Sequence, residues 1–400
     1  MSNEKSFIPV ARPWMDEREV QATRRPILSG WVTQGPEVEA FEQEFAEYVG
    51  AQKACAVSNC TTALHLALLA MGVRQGDEVI TVSHSFIATA NSIRYCGARP
   101  VFVDIQPETF NIDPTRLEEV ITRRTKAILC VHQMGMPCDL SEILDIARRN
   151  SLLVIEDAAC AIGSEILWNE KWEKIGKPHG DMACFSFHPR KIITTGDGGM
   201  ITTSNVEWDK KVRLLRHQGM SVSDTARHGA KEIIFECYPV KGYNYRMTDI
   251  QAAIGREQLK RLPEILERRR YLASDYRKLL ADLPWVGLPK EPSWAKSNWQ
   301  SFCIRLPDNC DQRETMQSLL KAGIATRRGI MCAHREKAYD RKDWSCGPSS
   351  EKCDCRPKTC LRLKQSEQAQ DRTIILPLYH QMTDDEQEKV VKTLKMACRV

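Results

Sequence analysis

Two charged residues, Asp157 and Lys191, are placed where a 400-residue chain could use them for chemistry. Asp157 ends the apolar run LLVIED, and Lys191 follows 34 residues later, just after the aromatic run MACFSFH. An acid at the C-terminal end of a buried strand emerges where parallel sheets gather their ligands. It reads either as a cap for the next segment or as a fixed anion facing a ligand. Such an anion can keep a heteroaromatic nitrogen protonated, the state in which pyridoxal 5'-phosphate (PLP) works as an electron sink. A lysine after a strand is ordinarily a solvated surface charge. Here Pro189 stiffens the approach, and Gly196, Gly198 and Gly199 permit tight backbone geometry beyond it. Burial or a neighbouring cation would lower the pKa of Lys191 and yield the neutral amine that Schiff-base chemistry needs. The same amine could then move protons at the substrate carbon.

An anion cradle accompanies the pair. In AVSNCTTALHLALLA a strand runs into a helix through Ser58, Asn59, Cys60, Thr61 and Thr62. Free amides and hydroxyls at a helix N-terminus suit a phosphate, and the same residues also serve as ordinary helix caps. Ser186, between Phe185 and Phe187, could add a hydroxyl. Phe86, in SHSFIATAN, reads as a core aromatic or as a platform for a ring.

The elements that must hold these residues are legible as alternating runs. Strands are expected at 53–58, 78–83, 99–105, 126–132, 152–158, 182–188 and 199–203, several of them nearly all apolar, as in strands covered on both faces. Helical patterns at 61–72 and 141–150 lie between them, and another at 35–48 precedes them, opened by Pro36. The repetition predicts an α/β fold with a mostly parallel, helix-covered sheet binding its ligand at the strands' carboxyl ends. A long helical stretch, 247–283, is interrupted by Pro263 and leads to strand-like SFCIRLP (301–307) and helix-like RETMQSLLKAG (313–323). The expected division is a large cofactor-binding domain over 1–250 and a smaller C-terminal domain over 251–400. Residues 341–362, polar and rich in Cys and Pro, read as an insertion loop.

Composition narrows the classes further. With 42% hydrophobic and 27% charged residues the chain is neither disordered nor collagenous. No apolar run approaches the ~20 residues of a membrane span. The first residues, MSNEKSFIPVARPW, lack the pattern of a secretion signal, so a cytoplasmic protein is expected. Net charge is +5 with acids and bases interspersed, which argues against a nucleic-acid partner. Most of the sixteen cysteines sit singly in apolar runs, as reduced thiols packed like small hydrophobes.

Taken in order, the blocks SGWVTQGPEVEAFEQEFAEYVG, SNCTTALHLAL, SFIATANSIRYCGARPVFVDI, VIEDAACAIGS, DMACFSFHPRKIITTGDGGMITT and GYNYRMTDIQAAIGREQLKRL resemble the DegT/StrS family of PLP-dependent sugar aminotransferases over almost the whole chain. The resemblance implies the type I aminotransferase fold, with Lys191 joined to PLP as a Schiff base and Asp157 paired with the pyridine nitrogen. It further implies that Thr61, Thr62 and Ser186 hold the phosphate and that Phe86 stacks on the ring. Asn244 would reach the phosphate in a neighbouring subunit, making a homodimer with shared active sites. Trp31 and Thr33, in the GWVTQG loop, and His334, after RRGIMCA, would line a sugar pocket; surface or packing roles suit the three as well. The implied reaction, part of amino-sugar biosynthesis, moves an amino group by ping-pong from an amino acid, glutamate in expectation, to a nucleotide-linked keto-sugar.

Departures from the family pattern are Cys160, where many relatives carry Gln, and Cys60, where many carry Gly. Members that dehydrate deoxysugars through pyridoxamine phosphate carry His in place of Lys191, so the retained lysine favours transamination. A non-catalytic regulator or scaffold on the same fold would have no need of that lysine. Separately, Cys346, Cys353, Cys355 and Cys360 are spaced C-x6-C-x-C-x4-C. Four thiolates would suffice for zinc, but the usual C-x2-C pairs are missing, and a loop of reduced thiols with no metal is the expectation.

Overall fold

The computed structural model describes residues 7–222, 227, 230–348, 355 and 358–398. Its N-terminal part carries helices α1 (Glu17–Ser29) and α2 (Pro36–Val49), then β1 (Lys53–Val57), α3 (Cys60–Ala70), β2 (Glu78–Val82), α4 (Ala88–Tyr95) and β3 (Arg99–Val103). It continues through β4 (Thr125–Val131), α5 (Leu140–Arg149), β5 (Leu153–Asp157), a hairpin of β6 (Glu165–Trp168) and β7 (Lys171–Lys174), β8 (Met182–Ser186), β9 (Gly199–Thr203) and α6 (Val206–Arg216).

Seven of these strands form one sheet in the order β1-β9-β8-β5-β4-β2-β3. The pairs from β8 through β3 are parallel, whereas β9 runs antiparallel to both β1 and β8. The reversal of β9 departs from a simple strand–helix–strand reading. No helix separates β8 from β9, and a parallel return needs a crossover of a dozen or more residues, usually helical. Consequently residues 187–198 leave and re-enter the same sheet edge, and Lys191 rides on that return. Every residue of β2, β8 and β9 is buried. Each large aliphatic side chain taken fully from water contributes roughly 1.5–3 kcal/mol.

The C-terminal part begins in α7 (Asp249–Leu279) and contains β10 (Ala295–Lys296), β11 (Phe302–Arg305), α8 (Gln312–Lys321), β12 (Arg327–Arg328), α9 (Lys364–Arg372), β13 (Thr373–Leu376) and α10 (Asp384–Ala397). Strands β11, β13 and β12 make a small antiparallel sheet. Pro263 does not interrupt α7, contrary to expectation. One face of the helix packs Leu259, Leu262 and Ile265 into the main core, and further on Leu272 and Tyr276 enter a second core. Burial along both halves outweighs the backbone hydrogen bond that proline forfeits. Ile8 belongs to the second core, so the chain's beginning packs with its end.

Residues 341–362 also differ from a polar loop. Trp344, Cys346 and Cys360 are buried with Phe102, Tyr339 and Leu363 in a third apolar cluster. Ser345 bridges to Val101 of β3, its amide donating to the Pro100 carbonyl at 3.0 Å. Trp344 and Cys346 therefore lie against the edge strand β3 of the large sheet, held there by apolar burial and the Ser345 bridge. No helix among the described residues is long and apolar enough to cross a membrane.

Candidate active site

A cavity of roughly 550 Å³ lies at the carboxyl edge of the large sheet, and Thr61, Thr62, Phe86, Asp157, Ser186 and Lys191 all line it. Strand direction explains the convergence. Asp157 and Ser186 end β5 and β8, and Thr61 and Thr62 open the helix that follows β1.

The cradle is built by α3's N-terminus. Asn59 caps the helix, its side chain accepting the Thr62 amide at 2.9 Å, while Thr62 Oγ1 accepts the Asn59 amide at 3.3 Å. Thr62 Oγ1 also donates to the Asn59 carbonyl at 2.8 Å, so that hydroxyl is committed to the cap. Amides of the first turn stay available to an anion, favoured by the helix dipole. Gly199 makes the approach possible: a Cβ there would lie 2.5–2.8 Å from the backbone of Asn59 and Cys60. A cradle that a methyl group would close, with the Ser186 hydroxyl beside it, fits a phosphate.

Asp157 is buried and doubly held. Thr89 Oγ1 donates to Oδ2 at 2.8 Å and the Ala159 amide to Oδ1 at 3.2 Å. Burial pushes its pKa up, partly offset by these two donors and by the charge of Lys191. Such a buried, hydrogen-bonded carboxylate suits a cationic ring nitrogen. Phe86 is 63% exposed over the cavity, which leaves its face free for a flat ring.

Lys191 Nζ donates to Cys160 Sγ at 3.0 Å. Burial alone would push its pKa down, but Cys160, Cys60 and Asp157 pull the other way, and the balance lies above the ordinary lysine value. The expected depression is thus reversed, because the groups around the amine are acids and thiols and not cations. The amine reacts only after passing on that proton.

Other expected residues are placed elsewhere. Trp31 and Thr33 line a separate open cavity with His217, Gln218 and Arg246, where the Asp249 amide donates to the Thr33 carbonyl at 2.9 Å. Asn244 is exposed and pairs its backbone with His217. His334 is buried and does not line the Lys191 cavity: its Nδ1 pairs with Ser83 Oγ at 2.6 Å and its Nε2 with Glu367 at 3.1 Å. Both ring nitrogens are thus engaged with protein partners, an arrangement that suits the packing role the sequence also allowed. Cys353 lies outside the described residues.

Several cavity residues escaped sequence reasoning. Thr89 steadies Asp157, and its signal was a hydroxyl inside SFIATAN. His132 follows β4; its Nδ1 accepts the Cys138 amide at 2.9 Å, which puts its proton on Nε2 facing buried Glu156 at 3.0 Å. Arg190 and Arg327, both exposed, and Gln300 complete the rim. Nothing in sequence spacing relates Arg327 to Arg190.

The comparisons agree with this geometry. The model of the DegT/DnrJ/EryC1/StrS aminotransferase family matches residues 13–395. GDP-perosamine synthase of Caulobacter vibrioides is 48% identical over 277 residues, 69% of this chain and 71% of that one. The aminotransferase TlmJ of Streptoalloteichus hindustanus superposes with a TM-score of 0.84 at 31% identity, covering 98% of both chains. An aminotransferase of Streptococcus pneumoniae, solved in PLP and PMP forms, is 26% identical in its PLP form, with a TM-score of 0.87 over 98% of this chain and 99% of that one.

Proposed function

For a chain that belongs to the DegT/DnrJ/EryC1/StrS aminotransferase family, and is a PLP-dependent sugar aminotransferase of type I fold, we propose a nucleotide-linked keto-sugar as acceptor and glutamate as donor. The observation that carries this reading is the pair of exposed guanidinium groups, Arg190 and Arg327, on the rim of the Lys191 cavity. Both substrates bring anionic groups, a nucleotide diphosphate and a dicarboxylate, and arginine forks suit either. A GDP carrier is the first to test, given the name of the Caulobacter relative.

PLP supplies an aldehyde that takes up amines and a cationic ring that draws electrons from the substrate carbon. Asp157 would keep the ring nitrogen protonated by pairing with its N–H, and the first turn of α3 with Ser186 would hold the phosphate. Phe86 covers the ring face. Lys191 would carry the proton at the substrate carbon in both half-reactions, and ping-pong order would follow because the amino group stays with the enzyme's cofactor between the two substrates. Lysine in that place, and aminotransferases among the relatives, count against the dehydratase and scaffold readings.

The proposed working unit is a homodimer. Exposed Ile233, Phe235 and Tyr238 shortly before exposed Asn244 support a subunit contact through that segment. Mixing Lys191→Ala with Asn244→Ala chains should restore activity if Asn244 serves the neighbour's site; no recovery would place each site within one chain. The proposed setting is cytoplasmic, where buried cysteines such as Cys55, Cys130 and Cys184 stay reduced. The long helix α7, shared by two cores, is the proposed joint between the cofactor-binding part and the smaller C-terminal part.

A panel of nucleotide-linked keto-sugars, incubated with PLP and glutamate or glutamine and followed by mass spectrometry, tests the assignment. Conversion of the carbonyl to an amine on a nucleotide sugar, with 2-oxoglutarate formed, is expected. Amination of free sugars or cyclitols alone would overturn the nucleotide reading.

A further inference from the structure

Three thiols meet at the edge of the large sheet, far from any use in transamination. Cys346 Sγ lies 3.8 Å from Cys355 Sγ, and Cys355 Sγ lies 3.3 Å from Cys360 Sγ. All three sulfurs fall within 4.8 Å of one another, and Cys346 and Cys360 are buried. Tetrahedral zinc–thiolate bonds of about 2.3 Å hold sulfurs about 3.8 Å apart, whereas a disulfide brings them to about 2.05 Å. The observed spacing matches the first and not the second. Hydrophobic packing alone gives no reason for three sulfurs to converge.

We propose that Cys346, Cys355 and Cys360 bind a structural zinc ion that fastens residues 341–363 to the edge strand β3. Three thiolates from the described residues leave the fourth tetrahedral position to a further donor. Around the cluster, Arg362 donates to the Cys346 carbonyl at 3.1 Å, and Arg341 and Arg99 donate to the Trp344 carbonyl at 3.0 and 2.7 Å. A metal there would tie the 3-10 turn at Arg341–Asp343 to the one at Leu361–Leu363, on either side of the cluster.

The site also connects to the active centre. The Cys360 amide donates to Glu367, whose carboxylate pairs with His334, which in turn pairs with Ser83. Ser83 begins the turn that carries Phe86 and Thr89 into the PLP cavity.

Elemental analysis of the full-length enzyme, purified with a reductant and without added metal, tests this directly. About one zinc per chain is expected, released in full when an organomercurial titrates the thiols. Cys346→Ser and Cys360→Ser should each drop below about a tenth of that content, while Cys237→Ser, at an exposed cysteine outside the cluster, should keep it. Cobalt-grown enzyme should show thiolate-to-metal charge-transfer absorption, a readout that needs no variant to fold. Folded wild type with no zinc and freely titrating thiols would overturn the proposal, as would a mass showing a disulfide among these cysteines.

Discussion

The amine of Lys191 rests against the sulfur of Cys160 at 3.0 Å. Asn298 Nδ2 donates to the Cys160 carbonyl at 2.7 Å and to the Ile162 carbonyl at 2.8 Å, which fixes that turn under the lysine. The position where many relatives offer Gln to the cofactor is occupied here by a group that faces the catalytic amine.

Because Cys160 helps hold the Lys191 pKa up, removing it should let the amine deprotonate at lower pH. In Cys160→Ala the pH profile of PLP capture, followed by absorbance, should move toward acid. An unchanged profile would mean that the thiol does not govern this amine.

Lys191→Ala should leave the circular dichroism spectrum unchanged and reduce turnover by about 10³-fold or more, in line with the loss of a covalent and proton-transfer group. Turnover within tenfold of wild type would refute the assignment.

Asp157→Asn should separate function from stability. Burial raises the folded-state pKa of Asp157 above its unfolded value, so its contribution to stability is full below the unfolded pKa and is lost as pH rises through the folded one. At neutral pH the cofactor-free enzyme carries that cost, and the neutral amide should melt higher. Turnover should nevertheless fall by roughly 10²–10⁴-fold because the ring nitrogen loses its anion. Thermal melts of both apo forms across pH, with steady-state assays, check the two halves.

Gly199→Ala tests the phosphate cradle. Its Cβ would collide with the backbone of Asn59 and Cys60, which cannot rotate away. A stability loss of about 1–3 kcal/mol and weaker PLP binding should appear together. Calorimetric melting and a PLP titration would detect them; normal PLP affinity would argue against phosphate at α3.

His334→Ala should strip buried Ser83 and half-buried Glu367 of a partner and cost about 2–4 kcal/mol of stability. The KM for the sugar should change by less than about twofold, since the imidazole does not reach the Lys191 cavity. A large KM effect would restore a place for it in the pocket.

Local order was readable from the chain itself. Apolar runs of five to seven residues ending in Asp157 or running into Lys191, and the cap SNCTT before an amphipathic helix, announce an α/β sheet with a ligand at its carboxyl edge, because burial, strand pleat and helix capping are set by near neighbours. The antiparallel run of β9, the continuity of α7 through Pro263, the direction of the Lys191 pKa and the burial of His334 were decided by packing between segments far apart in sequence. Arg327 joins the rim, and Thr89 reaches Asp157, only because strands and loops separated by many residues share one edge. The spacing of the cysteines at 346, 355 and 360 lacks the C-x2-C pairs of a usual zinc site. Their convergence needed β3 and Trp344 to fold the segment back, and distance in space, unlike distance along the chain, determines what three sulfurs can hold.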